Sequence, residues 1–311
     1  MPIRRMVRPD PLISRTALLL TVGVCCAGLW PSMASCGLGG PASGPAAGGA
    51  QIVAIGAVRP QGAGPGRQRT VFLDAGHGGI DWGGKARTPD GTWVAEKTFT
   101  LDLALRTAVL LRSAGYAVVL ARSEDPGPDR WAANNPARDL NGDGEIDGID
   151  DVQARINIAN DAHADVLLSI HLNGHSLPNG EIDPTFSGVT TLFDPDRPFS
   201  AENRRLAVLV HQQTLDIMTS LLGHAPRDWG VTDDTQLATP FTTSHTSYTH
   251  DVEIGPSEPH WVTASTMPGV ISEPLFLSSP EEQAIVLREE ARQNLALGYL
   301  RAIDAFFGRS P

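Results

Sequence analysis

Val71-Phe72-Leu73-Asp74-Ala75-Gly76-His77-Gly78-Gly79 joins an apolar run to a glycine-rich turn that carries one imidazole. An apolar run this short, bounded by turn residues, predicts a buried strand at Val71 to Asp74, and the glycines permit a tight turn that leaves the ring room. Two later segments repeat the design. Leu167-Leu168-Ser169-Ile170 runs into His171-Leu172-Asn173, and Gly269-Val270-Ile271-Ser272 runs into Glu273-Pro274-Leu275-Phe276. Open α/β sheets bind ligands beyond the carboxyl ends of their strands, so three such strands would bring two histidines and a glutamate to one edge.

Working outward, strands and amphipathic stretches alternate. A helix is predicted over Lys97 to Ala114, where Leu101, Leu105, Ala108 and Leu111 share a face and Gly115 supplies a stop. Strands follow at Tyr116 to Ala121, Asp165 to Ile170, Ser187 to Phe193 and Gly269 to Ser272, with helices at Val152 to Ala162 and Ala201 to Leu222. Glu281 to Phe307 reads as a closing helix broken near Gly298. The fold class is therefore α/β, a mostly parallel or mixed sheet flanked by helices on both faces, in one domain over residues 70–308.

The chain has 311 residues, of which 41% are hydrophobic and 19% charged, enough to bury a substantial core. A net charge of −11 with no basic stripe beyond the extreme N-terminus excludes nucleic acid as a partner. All three cysteines, Cys25, Cys26 and Cys36, precede the predicted domain, so metal ligands in its body must be His, Asp or Glu.

Arg4, Arg5, Arg8 and Arg15 precede an apolar run from Ala17 to Trp30 and the small residues Ser32-Met33-Ala34-Ser35-Cys36, which marks residues 1–36 as an export signal. Two processing routes fit. Met33-Ala34-Ser35-Cys36 resembles a lipobox with Cys36 as the lipidation site and a membrane tether, whereas Ser32 and Ala34 also suit plain cleavage after Ala34; an uncleaved anchor is a third reading. Residues 37–69, rich in Gly, Pro and Ala, read as a flexible linker. The expected location is extracellular or cell-envelope.

Glu96 opens the helix after the His77 loop. Two imidazoles and a carboxylate are a common catalytic zinc shell, and a further carboxylate, here Glu273, can move a proton to or from a water at such a metal. His175, four residues after His171, is an alternative ligand set in a Gly-, Ser- and Pro-containing loop. His245, His250 and His260 lie in the polar stretch 239–267 and read as solvated loop histidines, the stretch itself shaping a groove or lid.

Phe72 to Gly79, Glu96-Lys97, Arg155, Ala159-Asn160, Ser169 to Asn173, and Glu273 with Phe276 and Pro280-Glu281-Glu282 together resemble the zinc-dependent N-acetylmuramoyl-L-alanine amidase family. The resemblance spans Thr70 to Phe307 and implies a zinc amidase, phosphorylase/hydrolase-like fold. It implies zinc on His77, Glu96 and His171, Glu273 as the catalytic glutamate, and peptidoglycan as substrate, cut between N-acetylmuramic acid and L-alanine. Asn173 and Arg155 are then expected on the substrate side. Leu275 and Ser279 stand where the family often has Gly and Asn, which puts substrate fit in question. Two rival readings are a zinc carboxypeptidase acting on stem peptides and a non-catalytic, calcium-dependent wall-binding protein.

Asp139-Leu140-Asn141-Gly142-Asp143-Gly144-Glu145-Ile146-Asp147-Gly148-Ile149-Asp150 has the spacing of a calcium loop. Asp139, Asn141 and Asp143 would supply side-chain oxygens, Glu145 its carbonyl and Asp150 the last carboxylate, with Gly144 at the turn and Ile146 as the apolar anchor. The loop resembles those of dockerin modules, in a single copy, and a structural calcium ion is expected at 139–150.

Overall fold

The computed structural model describes residues 68–127, 130–131, 138–177, 179–236, 241–242, 247–258 and 263–309. The expected export signal, Cys36 and nearly all of the linker lie outside them. In chain order the strands are β1 (Thr70–Ala75), β2 (Lys85–Arg87), β3 (Trp93–Ala95), β4 (Ala117–Leu120), β5 (Val166–Ile170), β6 (Val189–Phe193), β7 (Asp228–Asp233), β8 (Phe241–Thr242), β9 (Ser247–Tyr248) and β10 (Gly269–Glu273). The helices are α1 (Glu96–Ser113), α2 (Gly148–Asp161), α3 (Ser200–Leu222), α4 (Pro280–Val286) and α5 (Glu289–Phe306).

Six strands form one sheet in the order β4-β1-β5-β10-β6-β7. β4, β1, β5 and β10 are mutually parallel, β6 runs antiparallel to β10, and β7 is parallel to β6. The sheet is mixed, as expected, and the reversal has a consequence for chemistry. Residues following β1, β5 and β10 meet at one edge, whereas residues following β6 and β7 emerge at the opposite edge.

β1, β5, β6 and β10 are buried along their whole length because the sheet is covered on both sides. One face packs against α1, α3 and α5 through Leu103, Leu111, Leu206, Val210, Leu295 and Tyr299. The other, built on Phe72, Leu167, Leu192 and Ile271, is covered by α2 through Ile149 and Ile156 and by an irregular strap that brings Tyr248, Val252 and Ile254 down onto it.

Three differences from the sequence reading have local causes. The closing helix breaks at Leu287–Arg288, where Arg288 adopts extended backbone and starts α5, while Gly298 lies inside α5. There a Cβ would meet Ile217 Cδ1 at 2.5 Å, so this glycine lets α5 approach α3. α2 starts four residues early because Asp147 and Asp150 form a reciprocal cap ahead of Val152. The edge strand β7 and the hairpin β2–β3 escaped the sequence reading, since both are short or polar and only partly buried.

Candidate active site and metal centre

The turn after β1 is held by cations and hydroxyls from below. Arg122 Nε and Arg155 Nη1 each donate to the Ala75 carbonyl at 2.9 Å, and Thr100 Oγ1 donates to the Gly76 carbonyl at 2.7 Å. Arg155 Nη2 donates to the His77 carbonyl at 2.8 Å and Lys97 Nζ to the Gly79 carbonyl at 2.7 Å. With these carbonyls fixed, His77 itself sits at φ 59°, a left-handed conformation that costs a non-glycine residue about 1–3 kcal/mol unless its surroundings impose it. Gly76 is required beside it, because a Cβ there would lie 2.2 Å from His171 Nε2.

The three residues expected to share a metal do converge. His77, Glu96 and His171 are buried, and a ligand atom from each falls within 4.8 Å of the others. His77 Nε2 is 3.2 Å from Glu96 Oε2, and His171 Nδ1 is 3.1 Å from Glu96 Oε1. The Glu96 carboxylate is aimed by the Gly84 and Leu172 N–H groups, at 2.7 and 2.8 Å. Behind His77, Nδ1 meets Asp81 Oδ2 at 2.7 Å. Behind His171, Nε2 lies against Glu253 Oε2, delivered by the single helical turn Val252–Ile254 of the strap.

Glu273, the last residue of β10, is buried at the same edge. Among the described residues, Glu273 Oε2 is buried without a hydrogen-bond partner, an acceptor that suits a water at an ion. The electrostatics agree. Burial opposes charge on His77, but Glu96 and Asp81 overrule it and push the imidazole up to about 10. Burial, then the Glu96 carboxylate, raises Glu273 well above the usual carboxylate range, with Glu253 adding to the effect. The carboxyl groups of Asp81, Glu96, Glu253 and Glu273 surround two imidazoles, a surplus of acidic groups that a divalent cation would offset.

Other expected residues fall differently. Arg155 is buried, its guanidinium committed to Asp74 at 2.6 Å and Asp151 at 2.8 Å and to the His77 loop, so it positions the loop from within the core. This corrects the expectation of a substrate contact. Asn173 welds two strand ends: its N–H donates to the Leu275 carbonyl at 2.9 Å and its carbonyl accepts from the Leu277 N–H at 2.7 Å. His175 stays out of the metal cluster, held by Asp183 Oδ2 at 3.0 Å and stacked on Phe186.

Leu275 is wholly buried in the core, and Ser279 caps α4, as an Asn would. His245 and His260 lie outside the described residues. His250 is a correction to the solvated-histidine reading, because it is buried among carboxylates.

The loop 139–150 folds into the start of α2. Asp139 accepts N–H groups from Gly142, Asp143 and Gly144, and Asn141 Nδ2 donates to Asp143 Oδ2 at 3.1 Å. Asp150 Oδ1 accepts from the Leu140 N–H at 2.6 Å. The expected apolar anchor, Ile146, is 46% exposed; Ile149 takes that place because the capped helix turns it into the core.

A family model described as N-acetylmuramoyl-L-alanine amidase matches residues 71–305. The chain belongs to that family. The match runs from β1 into α5 and so contains every residue of the buried centre. A germination-specific N-acetylmuramoyl-L-alanine amidase of Bacillus subtilis (strain 168) is 23% identical over 243 residues, covering 77% of this chain and 80% of the relative.

Among solved structures, the catalytic domain of CwlV, an N-acetylmuramoyl-L-alanine amidase of Bacillus (Paenibacillus) polymyxa var. colistinus, has a TM-score of 0.52 at 22% identity over 78% of this chain and 100% of that one. The CwlD amidase of Clostridioides difficile, solved in complex with the GerS lipoprotein, has a TM-score of 0.53 at 20% identity over 77% and 98% of the two chains. This amidase therefore shares their mixed sheet and flanking helices.

Proposed function

We propose that this amidase hydrolyses the bond between N-acetylmuramic acid and the L-alanine of the stem peptide in peptidoglycan, with zinc on His77, Glu96 and His171. The carrying observation is the buried convergence of these three side chains beside the unpartnered oxygen of Glu273. When bound, zinc polarises the scissile carbonyl and acidifies water. Glu273 takes the proton of the attacking water and returns it to the departing amine nitrogen. Glu96, fixed by two backbone N–H groups, and the two histidines, backed by Asp81 and Glu253, keep the donor geometry.

The test is digestion of purified sacculi by zinc-loaded protein, read by mass. Release of intact stem peptides is expected. Release of single amino acids would identify a carboxypeptidase, and wall binding without product a non-catalytic protein. Glu273→Gln should retain zinc while turnover falls by about 10²- to 10⁴-fold.

Calcium at 139–150 belongs to the same reading, supported by the inward-turned Asp139, Asn141 and Asp143. So does export through residues 1–36, with residues 37–69 as the tether. Mass analysis of the mature N-terminus distinguishes acylated Cys36 from cleavage after Ala34.

A further inference from the structure

At the sheet edge opposite the His77 centre, Asp194 directly follows β6 and Asp234 directly follows β7, and the strap lays His250 between them. His250 Nδ1 is 3.0 Å from Asp234 Oδ1 and 3.4 Å from Asp194 Oδ1, and one ligand atom from each residue falls within 4.8 Å of the others. Exposure is 2% for Asp194, 1% for Asp234 and 7% for His250. Asp234 Oδ2 is satisfied by the Asp251 N–H at 3.0 Å, and Asp194 Oδ1 by the Asp196 N–H at 2.7 Å. Asp194 Oδ2 remains buried with no hydrogen-bond partner among the described residues. At the rim, Asp196 Oδ2 stands 3.4 Å from His250 Nε2.

Two buried carboxylates facing one imidazole carry surplus negative charge even when the ring is protonated. Holding both carboxylates ionised in so buried a place is costly unless a further cation joins them. We propose that Asp194, Asp234 and His250 form a second divalent-metal site, distinct from the His77 centre and suited to zinc or manganese. One imidazole with two carboxylates matches these ions, whereas calcium takes six to eight oxygens.

The placement gives the site a task. The strap sets His250 between Asp194 and Asp234, crosses the sheet face through Val252 and Ile254, and brings Glu253 against His171. A metal at its start would pin the segment that supports the first centre.

The experiment uses the full chain, stripped of metal and re-equilibrated with zinc alone or manganese alone in calcium-containing buffer, with bound metal counted by mass spectrometry. The wild type should take up two equivalents of zinc or of manganese. Asp234→Asn and Asp194→Asn should each lose one and keep the other, the retained equivalent reporting an intact fold. His77→Gln should also keep one, which separates this site from the zinc reading of the first centre. A single equivalent in the wild type with both metals, abolished by His77→Gln, would overturn the proposal and leave a protonated His250 between two carboxylates. Two equivalents retained by both Asp variants would overturn it equally.

Discussion

His171 Nε2 and Glu253 Oε2 lie against each other in the buried centre, although one directly follows a central strand and the other arrives on an irregular strap. The contact fixes the ring of His171 and raises its basicity, working with Glu96 on the other nitrogen against the effect of burial. Outer carboxylates of this kind tune a histidine as a metal ligand. Glu253→Gln keeps the shape and removes the charge. It should weaken zinc binding by about 10- to 100-fold in a competition titration, with turnover at saturating zinc largely kept. Unchanged zinc affinity would show that Glu253 has no part in tuning the centre.

The buried Arg155–Asp74 pair gives stability a defined pH dependence. Burial would raise Asp74, but Arg155, aided by His171 and Ser169, holds it below its ordinary value of 3.8. A lowered native value means that the unfolded chain binds protons first. The stabilisation is therefore complete above about pH 4 and is lost as pH falls through the native value. Arg155→Met leaves Asp74 and Asp151 buried without their partner and should cost about 3–5 kcal/mol near neutral pH in urea unfolding. The gap between wild type and variant should narrow below pH 4, and a gap that stays constant would refute the pairing as its cause.

The elements that place the centre were legible because each carries its own local signal. β1, β5 and β10 are apolar runs that end on polar residues, and the glycines around His77 mark a tight turn. The strap was not legible. Its core residues, Tyr248, Val252 and Ile254, are separated by Thr249, His250, Asp251 and Glu253, so no period emerges, and what they cover exists only once the sheet has formed. Hence both His250 and Glu253 were hidden among residues that read as polar loop. Arg155 was misplaced for a related reason. Helical spacing sets its face, but only the tertiary pairing with Asp74 shows that this face is the core. An acidic residue inside the apolar opening strand, in need of a partner, was the available hint.

Calcium should act on the first centre indirectly. The loop 139–150 caps α2, and α2 carries Arg155 to the His77 loop. For the proposed calcium ion, at an extracellular-type Kd on the order of 10⁻⁴ to 10⁻³ M, calcium at about one hundred times that Kd should add about 2.7 kcal/mol of stability, several degrees in Tm. Asp143→Asn, which removes one oxygen charge and leaves the capping pair Asp147 and Asp150, should abolish most of that gain in a thermal melt. A calcium-induced rise that survives Asp143→Asn would place the ion elsewhere.

Gly76 offers the sharpest steric test of the centre. Its backbone is not in the left-handed region, so alanine meets no conformational penalty, and its N–H bond to the Ile170 carbonyl at 3.0 Å can persist. The added Cβ would stand 2.2 Å from His171 Nε2 and 2.3 Å from Cε1, a distance that forces the imidazole out of place. Gly76→Ala should therefore lose zinc affinity by about 10- to 100-fold, in line with the cost of displacing a ligand's support, while its melting transition stays cooperative. Gly174→Ala is the matched control on the His171 loop, because its Cβ would find only Gly84 Cα, at 3.9 Å. It should bind zinc as the wild type does. If both alanine variants bind zinc normally, the His171 ring is free to move aside, and the packing of Gly76 against it is not what holds the metal donors in register.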